Sequence, residues 1–418
     1  MLRSVDPVFD VAIVGGGLAG LALSHALASS GMRPVVIERD VAGGGGEGAR
    51  SDFDARAIAL SFGASRILAN IGDGTGLWPT VERTATPILN VHVSEQGRFG
   101  RVHLAADELG VPALGYVTDG AAAGRALLES VRQRQEVTLL SEAKVAGLSV
   151  GRGGVRLSVI ERDRSVSVDA RVVVAADGGR STVRALIGVP VRARDYASRA
   201  VIANITVSRE HGGTAYERFT RFGPMALLPI DRAGFGLVWT AGVARADELL
   251  ALDDVEFLGA LRSTFGARVG NFLRVGTRAS FPLHRVSAAR MHHPRVVLVG
   301  NAANHLHPVA GQGFNLGLRD VAVLREHLVE AHRAGEDPGS AAVISGYVAA
   351  RERDQRRTVG FTDSLASLFV ADWPLLPTAR NIAMLALDAA PHMRRAFGHQ
   401  AMGIRPQQVP RTGRAAVT

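Results

Sequence analysis

Between residues 11 and 28 the chain reads Val11-Ala-Ile-Val14, then Gly15-Gly-Gly17-Leu-Ala-Gly20, then a mostly apolar stretch to Ala28. Four apolar residues ending on glycines predict a short buried strand, and Leu18 to Ser30 predicts the helix that follows it. Few folds run a strand into a helix over three glycines. A phosphate can approach the backbone at such a turn because no Cβ stands in its way. The start of the helix also supplies N–H groups that have no intrahelical partner. Pro34-Val-Val-Ile-Glu38 predicts the next parallel strand, and Glu38 falls eighteen residues after Gly20. A carboxylate at that distance can accept hydrogen bonds from the ribose of an adenosine that carries no 2′-phosphate. Gly15, Gly17, Gly20 and Glu38 therefore point to dinucleotide binding. The alternative is a glycine turn that only packs a helix on a sheet.

Short apolar runs keep alternating with longer amphipathic ones, the pattern of an α/β fold. Helices are predicted at Ala64 to Ile71, Gly120 to Gln135, Ala246 to Phe265 and Gly313 to Ala334, and over most of residues 340–403. Residues 87–104 predict a hairpin, 137–149, 154–160 and 166–176 three strands, and 200–240 a β-rich region. Gly43-Gly-Gly-Gly-Glu-Gly48 predicts a flexible loop within Val41 to Asp52.

Composition closes several routes. The 418 residues include no cysteine, which excludes disulfides, thiolate metal sites, iron–sulfur clusters and redox dithiols. The net charge of +9 raises the question of nucleic acid, but the basic residues are spread along the chain and aromatic residues make up only 5%. No phosphate-tracking surface with stacking platforms is indicated, so nucleic acid is not expected as a partner. The apolar run from Val11 to Ala28 approaches membrane-spanning length, but Gly15, Gly16, Gly17 and Gly20 fit a soluble strand–turn–helix better. No secretory signal is read, and a cytoplasmic location is expected, with room for peripheral contact at the inner membrane.

Two further segments combine a strand with a polar turn. Val172-Val-Val-Ala-Ala-Asp177-Gly178-Gly179-Arg180-Ser181-Thr-Val-Arg184 is one. The other runs Val299-Gly300-Asn301-Ala-Ala-Asn304-His305-Leu-His307-Pro308-Val-Ala-Gly311-Gln312-Gly313-Phe314-Asn315-Leu-Gly317-Leu-Arg-Asp320. With the glycine turn, they resemble the class A FAD-dependent aromatic hydroxylases of the p-hydroxybenzoate hydroxylase fold. Gly300-Asn-Ala-Ala with His307 to Asp320 is similar to the ubiquinone-biosynthesis branch, nearest to hydroxylases of 2-polyprenyl-6-methoxyphenol. Asp54-Ala-Arg56-Ala-Ile-Ala-Leu-Ser61, Gly97-Arg-Phe-Gly-Arg101 and Glu217-Arg-Phe-Thr220 with Gly223-Pro-Met-Ala-Leu-Leu-Pro229 fit the same branch. The resemblance covers residues 10–403.

It implies an α/β fold: an FAD-binding Rossmann-like domain of the glutathione-reductase type, an inserted β-sheet substrate domain, and C-terminal helices. The expected division assigns 1–86, 111–186 and 289–336 to the FAD-binding domain, and 87–110 and 187–288 to the substrate domain. Residues 337–403 form a helical region and 404–418 a disordered tail. The cofactor is FAD, with NAD(P)H as a transient co-substrate. In this family the reduced flavin reacts with O₂ to a C4a-hydroperoxide that passes a hydroxyl group to an electron-rich ring. FAD contacts are expected at Gly15, Gly17, Gly20, Glu38, Arg39, Arg56, Arg125, Asp177, Gly178, Asn301, Gly311, Gln312, Gly313, Phe314 and Asn315. Asn301 stands where the family usually has Asp, and its amide can still bond ribityl hydroxyls. Pro308 is expected beside the flavin, and His307 to line the same loop as an acid–base candidate. His305 and His307 lack a third ligand nearby, so no metal is expected. Arg180 and Arg184 are read as contacts for the nicotinamide donor.

Phe219, Leu227, Pro229 and Trp239 are expected to line the substrate chamber. A prenylated phenol is insoluble, and Trp373-Pro-Leu-Leu-Pro377 and Ile382 to Leu387, with Arg351, Arg353, Arg356, Arg357, Arg394 and Arg395, offer a basic apolar docking face to a membrane or biosynthetic complex. Two other readings stay open: hydroxylation of a soluble phenolic or polyketide secondary metabolite, and a catalytically silent flavin-binding scaffold subunit.

Overall fold

The computed structural model describes residues 9–40, 57–71, 76–220, 222–305, 312–370 and 376–403. The Gly43–Gly48 segment and the tail after residue 403 lie outside them. An eight-stranded sheet forms one layer, in the order His292–His293, Val296–Leu298, Arg164–Ala175, Phe9–Val14, Pro34–Glu38, Thr138–Ser141. The four inner strands of this order run parallel, Val14 beside Ala175 and Ile37, and Ala175 beside Leu298. Strands buried on both faces should be continuously apolar, and Val11-Ala-Ile-Val14, Val172–Ala175 and Val296–Leu298 are. Strands Val155–Glu161 and Ala143–Val150 extend Arg164–Ala175 as an antiparallel meander. The predicted 137–149 strand is in fact two, Thr138–Ser141 and Ala143–Val150. The break falls at Glu142, whose φ of +56° turns the chain from one neighbour to the next.

Helix Leu18–Ala28 covers the parallel sheet and packs against helices Gly120–Arg132 and Gln312–Arg333. A three-stranded sheet, Ala57–Ser61, Gly115–Asp119 and Thr86–Ile88, lies alongside.

The second large sheet has nine strands and is mainly antiparallel; eight follow the order Asn304–His305, Ala279–Ala288, Val191–Val207, Gly234–Gly242, Gly223–Pro229, Thr214–Thr220, Asn90–Glu95, Arg101–Ala105, and the ninth, Phe272–Val275, pairs with Val191–Val207. The predicted hairpin supplies its last two strands, with Val93 opposite Val102. Strand Thr214–Thr220 joins the hairpin in parallel, Glu217 opposite Val93.

Because side chains alternate along a strand, this sheet has two distinct faces. One carries Met225, Leu227, Phe235, Leu237 and Trp239, all fully buried with Phe257, Leu261 and Phe265 in one core cluster. Helices Val243–Ala251 and Asp254–Phe265 contribute the covering side chains, the second started by an Asp253–Glu256 capping box. The other face carries Ile202, Val238, Ala226 and Leu228, each only partly buried. It turns toward the three-stranded sheet: a methyl group added at Gly236 would stand 2.6 Å from the Ala57 Cβ. Helices Ala341–Val370, Leu376–Ala389 and Pro391–Ala401 close the chain.

Candidate active site

The three motif segments meet at the carboxyl ends of the parallel strands, where open α/β sheets bind ligands. Gly15 has φ +109°, and a Cβ there would stand 2.5 Å from the Ala176 oxygen and 2.8 Å from the Asp177 nitrogen. Only glycine lets the first turn approach the Asp-Gly segment this closely. A Cβ on Gly317 would lie 3.3 Å from the Gly300 Cα and 3.9 Å from the Ala19 Cβ. A Cβ on Gly179 would meet the His305 ring at 3.1 Å, which joins the second segment to the third.

Helix Leu18–Ala28 begins on Gly17 with no side-chain cap, whereas Asp119 caps the helix at Gly120 through the Ala121 and Ala122 amides. A Cβ on Gly17 would have nothing within 4 Å. The first helix therefore presents its partner-free N–H groups to an open space, the arrangement a diphosphate needs. Glu38 faces the same turn and accepts from the Gly16 amide, and from the Asp40 amide at 2.9 Å. Each of its oxygens keeps a lone pair for a ribose hydroxyl.

Asp177 accepts from the Val183 amide at 3.1 Å through Oδ2, while its buried Oδ1 has no partner among the described residues. A buried carboxylate oxygen left open at this junction fits a hydroxyl or amide donor supplied by a ligand. Gly178 takes φ +84°. Arg180 is exposed. Arg184 is not a free cation waiting for a nucleotide: it is buried and donates to the Ala302 oxygen at 2.8 Å and the Gly179 oxygen at 2.7 Å. It staples the second segment to the third.

Asn301 is exposed in the short 3₁₀ turn Gly300–Ala302. The turn is held from behind by Asp320, which is fully buried and accepts from the Gly300 amide at 2.9 Å, Arg351 Nε at 2.8 Å and Gln355 Nε2 at 2.8 Å. Burial raises the Asp320 carboxyl above its ordinary range, against the pull of Arg351 and the other donors. Asn304 Nδ2 donates to Gln355 at 2.9 Å and completes the network. Sequence reasoning missed this network and grouped Arg351 with a docking face, yet Arg351 is 2% exposed. Its signal was an acid one turn from Leu316 and from Leu324 on an apolar helix face, where a charge needs a partner.

Other expected contacts divide. Arg125 is exposed and near Asp119 at 4.0 Å, one residue from Gly124, whose Cβ would touch Leu18 at 3.9 Å beside the glycine turn. Arg39 is exposed and pairs with Asp40 at 3.4 Å. Gly313 opens the helix near Asn301, and Phe314 packs on the main core. The Asn315 amide is engaged with backbone, accepting from Ser61 N at 2.9 Å and donating to the Ala59 oxygen at 3.2 Å, so it ties this helix to strand Ala57–Ser61. Arg56, His307, Pro308 and Gly311 lie outside the described residues, as does the side chain of Gln312.

The expected chamber lining needs correction. Leu227 and Trp239 belong to the helix-covered core, and Trp239 packs edge-on against Phe257 at 5.9 Å. Pro229 lies opposite Phe235 on the same face. The alternation sends these side chains into the helix-covered core and leaves their neighbours Val238, Ala226 and Leu228 on the other, half-buried face. Phe219 does stand on that face.

A family profile described as "FAD binding domain" matches residues 8–362. Ubiquinone hydroxylase UbiL of Rhodospirillum rubrum is 37% identical over 405 residues, spanning 96% of this chain and 91% of that protein. The 3-demethoxyubiquinol 3-hydroxylase of Escherichia coli is 30% identical over 395 residues, 94% of this chain and 98% of that one. Among solved structures, p-nitrophenol 4-monooxygenase PnpA from Pseudomonas putida superposes with a TM-score of 0.74 at 20% identity, over 95% of this chain and 99% of that one. This last likeness speaks to fold alone.

Proposed function

The chain belongs to the FAD-binding-domain family of flavin-dependent aromatic monooxygenases, and from that premise we propose that it hydroxylates the ring of a prenylated phenol on the way to ubiquinone, with NAD(P)H as reductant. One observation carries the reading: a half-buried apolar sheet face lies against the element that Asn315 ties to the three-segment junction. The relatives named for ubiquinone substrates span nearly the whole chain.

Bound FAD would supply the activation of O₂ and the transfer of one oxygen atom to the ring. The protein's own part is placement. The uncapped helix start and the Gly15–Gly17 turn would hold the diphosphate, with Arg125 on the neighbouring helix next to Gly124, which lies beside Leu18. Glu38 would receive the ribose hydroxyls. Asp177 Oδ1 and Asn301 would bond the polar chain that leads to the ring system, and Asp320 and Arg184 keep that turn in place. Phe219 and the partly buried Ile202, Val238, Ala226 and Leu228 would hold the phenol and the start of its prenyl chain away from water. Pro308 and His307 remain the candidates for the loop beside the flavin.

No helix among the described residues is long and apolar enough to cross a membrane. Exposed apolar side chains would serve for peripheral contact. Phe99 is 93% exposed and Ile382 61%, and the Gly100 amide donates to Asn381, so the hairpin tip and this helix turn stand together. Leu385, one turn along the helix from Ile382, is exposed as well. Such a face would let the enzyme take its substrate from the bilayer.

The test is a mass spectrum of lipid extracts from a deletion strain beside its parent. Accumulation of a prenylated phenol with loss of ubiquinone supports the reading, and the mass of the accumulated species names the blocked ring position. Unchanged ubiquinone in a strain with no second hydroxylase refutes it.

A further inference from the structure

The half-buried face of the nine-stranded sheet carries one charge in its central row. Reading across the strands, the paired residues are Ala279, Ile202, Val238, Ala226, Glu217, Val93 and Val102. Six are small or aliphatic and the fifth is a carboxylate. Alternation puts Ala215 and Phe219 on either side of Glu217 along its own strand, so its surroundings are apolar in every direction of the sheet. It is only partly buried. Among the described residues it has neither a hydrogen bond nor an ion pair.

Among the described residues, several charges on the elements around it are paired with other groups. Glu95, at the edge of the same face, is paired with Arg380 of helix Leu376–Ala389 at 2.7 Å. In that helix Asp388 accepts from the His103 amide at 2.9 Å. Helix Ala341–Val370 packs on strand Gly223–Pro229, and its Arg351 is held by Asp320 and Asp354, and Arg356 by Glu352. On strands Gly223–Pro229 and Gly234–Gly242 the residues of this face carry no charge.

We propose that Glu217 meets the hydroxyl group of the phenolic substrate in this chamber and accepts its proton. The proposal rests on the reading of the half-buried face as the place of an aromatic substrate. The O–H bond breaks, its proton passes to a Glu217 carboxylate oxygen, and the electron pair stays on the phenolic oxygen, which enriches the ring for oxygen transfer. After the transfer, the hydrogen on the hydroxylated carbon leaves as a proton to water, the C–H electron pair restores the aromatic ring and the phenolate oxygen, and Glu217 returns its own proton to that oxygen. Burial alone pushes the Glu217 carboxyl up to about 7, which suits a base working near neutrality. A carboxylate without a protein partner, in an apolar row, is otherwise a net cost to the fold.

The experiment uses the FAD-loaded enzyme and a short-chain prenylated 2-methoxyphenol, with hydroxylated product measured from about pH 5 to about pH 9. In the wild type, kcat/KM rises with pH through about 7 as Glu217 ionises. Glu217→Gln keeps its flavin, loses at least about 100-fold in kcat, and no longer shows that rise, while Glu217→Asp recovers part of both. A Glu217→Gln profile that superimposes on the wild type overturns the proposal and leaves the hydroxylase reading standing. A wild type that forms no product overturns both. If the variant does not fold, difference absorption of the bound phenol in the wild type decides. Phenolate appearing as pH passes about 7 supports the proposal, and phenolate appearing only near the ordinary phenol range of about 10 contradicts it.

Discussion

The two large sheets carry function by different means. At the parallel sheet the backbone does most of the binding. Gly15 lets two segments touch, Gly17 leaves a helix start uncapped, and side chains such as Asp320 and Arg184 act from behind to keep the turns in place. At the antiparallel sheet the backbone is uniform and side chains decide everything, because one face is a core closed by two helices and the other a half-buried apolar surface with one carboxylate in its central row. A backbone site tolerates little change in its own residues. A side-chain site on a sheet separates stability from chemistry, one residue apart along the strand.

That contrast can be broken at several points. Replacing Asp320 by Ala strips the partner from buried Arg351 and the acceptor from Gly300, and should lower unfolding free energy by about 3–5 kcal/mol with loss of flavin. Urea denaturation and the flavin-to-protein ratio measure both. Trp239→Ala empties part of the helix-covered face and should cost a comparable 3–5 kcal/mol or so, yet the folded fraction should keep its flavin and its KM. A raised KM there would mean that the two faces are not separate.

Smaller stability effects should accompany the larger functional ones. Glu217→Gln removes a carboxyl whose folded pKa, about 7, lies above its ordinary 4.5. A raised carboxyl destabilises the folded state as pH climbs between those two values. The variant should therefore melt a few degrees higher than the wild type at pH values above about 7, and the gap should close below the ordinary carboxylate range. Thermal melts at the two extremes check the sign. Val238→Phe crowds the half-buried face and should cost about 1–3 kcal/mol, while turnover of a prenylated phenol collapses. Gly17→Val should leave stability nearly unchanged, since Gly17 has ordinary φ and free space, and should yield colourless protein. A yellow Gly17→Val variant would remove the diphosphate from that turn.

The glycine turn, Glu38 and the Asp-Gly strand were legible because they depend on chain-local rules: a strand ending, missing Cβ atoms and a helix start. The antiparallel sheet was legible as β structure but not as two faces. Tyr216, Glu217, Arg218 and Phe219 alternate, but both faces of the sheet take apolar residues, so nothing local marked which was covered. Aromatic size drew attention to Trp239, which burial then explains. Arg184 read as a nucleotide contact and Arg351 as part of a docking face because arginine is usually exposed, and the acceptors that bury them, Ala302 and Asp320, lie 118 and 31 residues away.

The account stands most directly on a single turnover of the FAD-loaded protein with a short-chain prenylated phenol, NAD(P)H and ¹⁸O₂, read by mass spectrometry. It predicts a ring-hydroxylated product carrying one atom of ¹⁸O for each nicotinamide oxidised. Nicotinamide oxidation that yields only peroxide, or a product whose new oxygen comes from water, would contradict it.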